Sequence, residues 1–143
     1  MAKAIKLKIE HDFNFLLIGL VTSEPIYRLS WLINESTGIK LAETKSIQHH
    51  HKKTKELQSF SVFSYEDLEN GGIYDLIQNK GTNGLLIEEQ KNIDYLFKVA
   101  FADINNEEFL NQIKVISNIN LAHSIEPGSL KSKSRLISSV SES

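Results

Sequence analysis

The sequence predicts an α+β fold: a mostly antiparallel sheet with two helices on one face, distantly ferredoxin-like or ACT-like. Three observations carry this. Apolar residues alternate or run on in segments of strand length, two other segments show helical spacing behind start signals, and a strand–helix–strand unit stands at each end of a central meander. At 143 residues the chain has the length of one domain and buries about two-thirds of the surface its unfolded form exposes. The single α+β domain is expected over residues 1–128, followed by a Ser-rich tail, disordered at its end, over 129–143.

Ile5, Leu7 and Ile9 alternate with Lys6, Lys8 and Glu10, the period of two that a half-buried strand requires. The nearly continuous apolar run Phe13 to Val21 reads as a central strand covered on both faces. Ser23-Glu24-Pro25 then marks a helix start: a side-chain oxygen for free N–H groups, an acid at the positive dipole end, and a proline in the first turn. Ile26, Leu29 and Ile33 follow at helical spacing, and Gly38 supplies a left-handed end. Tyr27 and Trp31 lie four apart on the same helix, off that stripe, so the helix is apolar on more than one side.

Glu43 to Gln58, with His49, His50 and His51 and three nearby lysines, reads as a mobile loop or an exposed strand edge. Ser59–Tyr65 and Ile73–Gln78 are strands separated by the turn residues Asn70-Gly71-Gly72. Asn79 to Gly84 is a glycine-rich turn, and Leu85 to Ile87 a short return. Ile93 to Phe101 is expected as a strand for its β-branched and aromatic content. Asn105 with Glu108 starts a second helix whose buried face is Phe109, Ile113 and Ile116. Ile119 to Ile125 is the last strand, stopped by Pro127 and Gly128.

Composition removes several functions. The chain has no cysteine, so disulfides, thiolate metal sites and cysteine nucleophiles are excluded. Its N-terminus lacks the h-region of a signal peptide, and its longest apolar run is far short of the roughly 20 residues that span a bilayer, which points to the cytoplasm. A formal charge of −2 disfavours a dedicated duplex-DNA binder, whose affinity needs a surplus of clustered Lys and Arg.

The segment Ile87-Glu88-Glu89-Gln90-Lys91-Asn92-Ile93-Asp94-Tyr95 resembles the signature of the bacterial IPExxxVDY family, through Ile87, Glu89, Ile93, Asp94 and Tyr95. Phe13 to Gly19, Tyr27 to Asn34, Phe60 to Tyr65 and Leu130 to Ser134 are similar to further family blocks in the same order, so the resemblance covers most of the chain. Glu88 stands where the signature has proline, and Ile93 where it has valine. The resemblance implies a bacterial protein and assigns no activity, substrate or cofactor. In an extended stretch, the lost proline costs little, because other residues adopt its φ at modest entropic cost.

Candidate chemistry is sparse. Neighbouring imidazoles at His49 to His51 are the right donor type for Zn, Cu or Ni, yet consecutive residues point different ways and the flanking lysines repel a cation, so no metal is expected. Asp94 beside Tyr95 has the form of an acid next to a hydroxyl, but no partner for acid–base work stands at informative spacing, and an exposed carboxylate next to a buried ring explains the pair. Glu88 and Glu89 face opposite sides of an extended chain and make a poor hydrolase pair. His11-Asp12 is half a triad without its nucleophile. Lys52, Lys53 and Lys131 are candidate phosphate contacts for RNA, with solubility the simpler account of such charge runs.

Tyr27 and Trp31 are the candidate interface, covered either by a partner or by a loop of the same chain. No catalytic set and no cofactor site emerges. The function expected from the sequence is therefore a non-enzymatic interaction or assembly module with a protein partner or a second copy; the alternatives are an RNA- or ribosome-associated accessory protein and an ACT-like small-ligand sensor.

Overall fold

A computed structural model describes residues 15–51 and 53–131. The strand expected over Ile5 to Ile9, the His11-Asp12 pair, Lys52 and the tail beyond Lys131 lie outside these residues. The described chain forms β1 (Leu16–Val21), α1 (Ile26–Thr37), β2 (Ala42–His50), β3 (Leu57–Glu66), β4 (Ile73–Gln78), the two-residue strands β5 (Lys80–Gly81) and β6 (Gly84–Leu85), β7 (Tyr95–Ala100), α2 (Asn106–Lys114), β8 (Leu121–Ser124) and a 3₁₀ turn at Pro127–Ser129.

Six strands make one sheet in the order β2-β3-β4-β7-β1-β8, and every neighbouring pair is antiparallel. The fold is therefore α+β with a mostly antiparallel sheet. β1 was expected in the middle and lies one place from the edge, between β7 and β8. Its apolar run reflects cover on both faces, which a strand next to the edge receives wherever other segments fold over it.

Side chains alternate across the sheet as the pleat demands. Ile18 and Leu20 of β1, with Tyr95, Phe97 and Val99 of β7, point to one face, where Leu29 and Ile33 of α1 and Phe109 and Ile113 of α2 close over them. Tyr74, Phe97 and Phe109 form a ring triangle there with centroids 5.7–6.5 Å apart, within the range of favourable tilted contacts. Leu17, Phe60, Val62, Ile77 and Leu96 point to the other face. No helix covers that side among the described residues; Leu86, Ile87 and Ile93 of the β6–β7 connection, with Ile125 and Leu130, form its lid. Gly19 belongs to this face. A Cβ there would sit 2.7 Å from Ile125 Cδ1 and 3.0 Å from Ile93 Cδ1, so the missing side chain is what lets both isoleucines settle on β1.

The two helix starts differ. Asn105 caps α2 as its sequence demands, accepting the Glu108 N–H through Oδ1 at 3.0 Å. The start of α1 departs from the Ser23 cap expected for it: Pro25 is the capping residue, extended and without a side-chain bond, and its carbonyl accepts the N–H groups of Arg28 and Leu29. A proline directly before the first helical residue fixes the entry angle without any cap oxygen. Gly38 ends the helix with φ +85°, donating its N–H to the Asn34 carbonyl.

Of the two forms expected for the histidine-bearing stretch, the strand edge is found: β2 is an edge strand with a bulge between Thr44 and Ile47 and the charged Glu43 and Lys45 on it. Such features discourage pairing with another sheet. No described helix is long and apolar enough to cross a membrane.

Candidate functional site

The segment from Ile87 to Tyr95 does two kinds of work. Ile87 and Ile93 are buried in the lid of the second face, and Glu89 is exposed. Asp94 and Tyr95 instead enter a polar corner at the base of α1. Asp94 accepts the Thr22 N–H through Oδ2 at 2.9 Å and pairs with Lys80 Nζ through Oδ1 at 2.8 Å. The Tyr95 hydroxyl donates to the Glu24 carbonyl at 2.6 Å. The Thr22 hydroxyl donates to the Asn118 carbonyl at 2.7 Å, and Asn118 Nδ2 donates to Glu24 Oε2 at 2.8 Å. Burial, helped by the negative charges of Asp94 and Glu24, raises the Tyr95 phenol above its ordinary pKa, so it stays a donor.

This corner surrounds a shallow cavity of ≈ 330 Å³ bounded by Thr22, Glu24, Gln78, Lys80, Asp94 and Tyr95. Its chemistry is that of a latch. The carboxylate, the ammonium, the phenol and the threonine hydroxyl are each engaged by another group of the corner or of α2's exit, which ties β1, the β4–β7 excursion and the α2–β8 connection together. Acid–base catalysis needs a titratable group aimed at a reacting atom; here the acid faces a lysine and a backbone amide.

Sequence reasoning passed over Asn79, which holds that excursion in place. Its side chain is fully buried, donates to the carbonyls of Gln90 at 3.0 Å and Ile93 at 2.8 Å, and accepts the Ile87 N–H at 2.8 Å. One amide thus replaces three bonds a sheet would have supplied to an irregular segment. In the sequence it is one more turn-type residue in a glycine-rich stretch, and nothing marks it.

Asp75 and Lys98 were missed as well. They face each other across β4 and β7 inside the second face, both nearly fully buried. The Ser64 hydroxyl donates to Asp75 Oδ1, and Lys98 Nζ sits 4.5 Å from the centre of the Phe15 ring. Burial raises the Asp75 carboxyl above the usual range, with the Ser64 bond and the Lys98 charge pulling the other way. The available signal was one acid and one base in strands otherwise apolar on both sides.

The histidines separate. His49 is the register partner of Gln58, and His51 lies beyond the end of β2 in the turn toward β3. His51 Nδ1 accepts the N–H groups of Lys53 at 3.2 Å and Thr54 at 3.3 Å, and Nε2 stands 4.0 Å from Glu88. A ring that accepts at Nδ1 carries its proton on Nε2 when neutral, which leaves neither nitrogen free for a metal in this conformation. Among the described residues no group of three or more His, Asp or Glu is arranged to hold a metal ion. Lys53 is exposed in the same turn, and Lys131 is exposed just past the 3₁₀ turn, so the candidate phosphate contacts lie on separate segments.

Tyr27 and Trp31 are 69% and 50% exposed, and no described segment covers them. Trp31 points directly away from the Leu29–Ile33 stripe that α1 buries, because it stands two residues from each, about 160° round the helix from either. The Arg28 guanidinium lies 5.0 Å from the centre of the Trp31 ring. The other large exposed apolar side chains, Leu57, Leu68, Phe101, Val115 and Leu121, come singly from five different segments. The aromatic pair is the one place among the described residues where two such side chains share a helix face.

No family model, curated protein or solved structure matches the chain.

Proposed function

We infer that the protein is a non-enzymatic interaction module that docks a protein partner on the outer face of α1. The observation that supports this most directly is the exposure of Tyr27 and Trp31 together on a helix whose opposite face is already committed to the core. Tyrosine, tryptophan and arginine are the residues that dominate interface hot spots, and all three stand side by side here. Leaving two large rings wet is costly on a free surface, whereas an aromatic patch edged by charge is the usual form of a docking site. The polar corner at Asp94 supports the same view, since its groups are engaged with one another and with the segment that leads into α1.

A photo-crosslinking residue placed at Tyr27, in cells of the source organism, tests the reading. Discrete crosslinked species are expected from that position and none from a control at exposed Glu107 on α2. No discrete species from position 27 would overturn it. Trp31→Ala should shift the melting temperature by no more than about 2 °C, because the ring fills no core.

A further inference from the structure

We propose that the occupant of this face is a second copy of the chain, held as an antiparallel α1–α1 pair about a two-fold axis passing beside Trp31. The inference rests on the docking reading above and names its partner. Its basis is a self-complementarity in α1 that becomes visible only with Trp31 as origin.

Arg28 lies three residues before Trp31 and Glu35 four residues after it, and both are exposed. At 3.6 residues per turn they fall about 60° and 40° round the helix from Trp31, on the same flank. A two-fold axis perpendicular to antiparallel helices inverts height along the helix and preserves flank. With a rise of about 1.5 Å per residue, Arg28 of one copy then stands within about 1.5 Å of the height of the partner copy's Glu35. Two opposite-charge pairs result, one on each side of the axis, while the two Trp31 rings meet at the centre with Tyr27 beside them on the other flank. Apolar rings at the centre and charges at the rim are the layout of a stable interface, and an isologous pair needs one patch only.

Alternative routes to self-association are poorer. β2 is bulged and charged along its free edge, and β8 offers four residues. A single twelve-residue helix contributes a small contact, so the dimer belongs at the weak end of specific interfaces, with a dissociation constant on the order of micromolar.

Trp31 is the sole tryptophan of the chain, so its fluorescence reports on the proposed contact with no background. In the full-length protein, sedimentation should show a monomer–dimer equilibrium. Across the same concentrations Trp31 emission should move to shorter wavelength and lose accessibility to acrylamide. Arg28→Glu alone and Glu35→Arg alone should each weaken the dimer by about tenfold or more, because each sets like charges opposite one another. An equimolar mixture of the two variants should dimerise, since a mixed pair restores both opposite-charge contacts. Weakening in each variant followed by rescue in the mixture identifies the antiparallel arrangement, because a parallel pair would set like charges opposite one another in the wild type already.

A protein that stays monomeric with Trp31 open to quencher overturns the second copy and leaves the docking reading standing for another partner. A monomer with Trp31 shielded at every concentration overturns both, since the chain then covers its own helix. A dimer whose Trp31 stays open, or whose variants fail to rescue each other, places self-association elsewhere and also overturns the inference.

Discussion

Burial of Asp75 inside the sheet makes the stability of the fold depend on pH. The Asp75 carboxyl has a folded-state pKa raised above its ordinary 3.8, chiefly because burial disfavours the ionised form. The folded state therefore binds that proton more tightly than the unfolded one. The stabilisation this brings is fully present below about pH 3.8 and is lost as pH rises through the folded-state value. Against Asp75→Asn, which has no such proton, the relative stability of the wild type should fall between acid and neutral pH in denaturant titrations. A difference that stays flat with pH would show that the carboxyl is not the source. Neither Asp75 nor Lys98 stood out in the sequence, because strand patterns are read from apolar positions and opposed charges look like solvent-facing ones until the pairing of β4 with β7 is known. Tyr27 and Trp31 were legible for the opposite reason. Helical spacing alone places them off the buried stripe, and only their exposure needed three dimensions.

Elements whose period is set by burial were readable, and those held by particular hydrogen bonds were not. The α2 helix was recovered from its cap through Phe109 and Ile113, which act within about two turns of Asn105, whereas Ile116, expected on the same helix face, is buried in the turn beyond the helix end at Lys114. The α1 start was misplaced because Ser23, a fitting cap by type, lies outside the helix, while Thr22 two residues on from β1's apolar interior takes the nearby Glu24 N–H instead. The β6–β7 connection was invisible as a unit. Its shape depends on Asn79, whose three bonds cross the excursion rather than follow any period. Asn79→Ala should accordingly cost about 3 kcal/mol, because it strands one buried N–H and two carbonyls that water cannot easily reach. Urea unfolding checks this, and a cost below about 1 kcal/mol would mean that the segment is held by Ile87 and Ile93 alone. Gly81 belongs to the same unit: a Cβ there would run into the Ser59 carbonyl, so the small hairpin of β5 and β6 lies flush on β3 only with glycine.

The sheet joins the two ends of the described chain. β1 comes first, yet both its neighbours, β7 and β8, come last. Strand order of this kind cannot be read from periodicity, which tells that a segment is a strand and never which strand it meets. Both cores depend on the closure: Ile18 and Leu20 complete the helix-side core, while Leu17 lies in the other beside Ile125. A chain ended after residue 118 lacks β8 and the groups that follow it, and should lose its cooperative thermal transition altogether; a sharp melt from that fragment would show that the sheet closes without its last strand. Synthesis meets the same order in time. Leu121 emerges one hundred residues after its register partner Val21, which at about 5–20 residues per second is a delay of about 5–20 s. Until Tyr95–Ala100 of β7 is made, the Leu16–Val21 strand, apolar on both sides, is on a growing chain without either of its eventual neighbours. A pause in translation before residue 95 should therefore prolong the stage most open to aggregation.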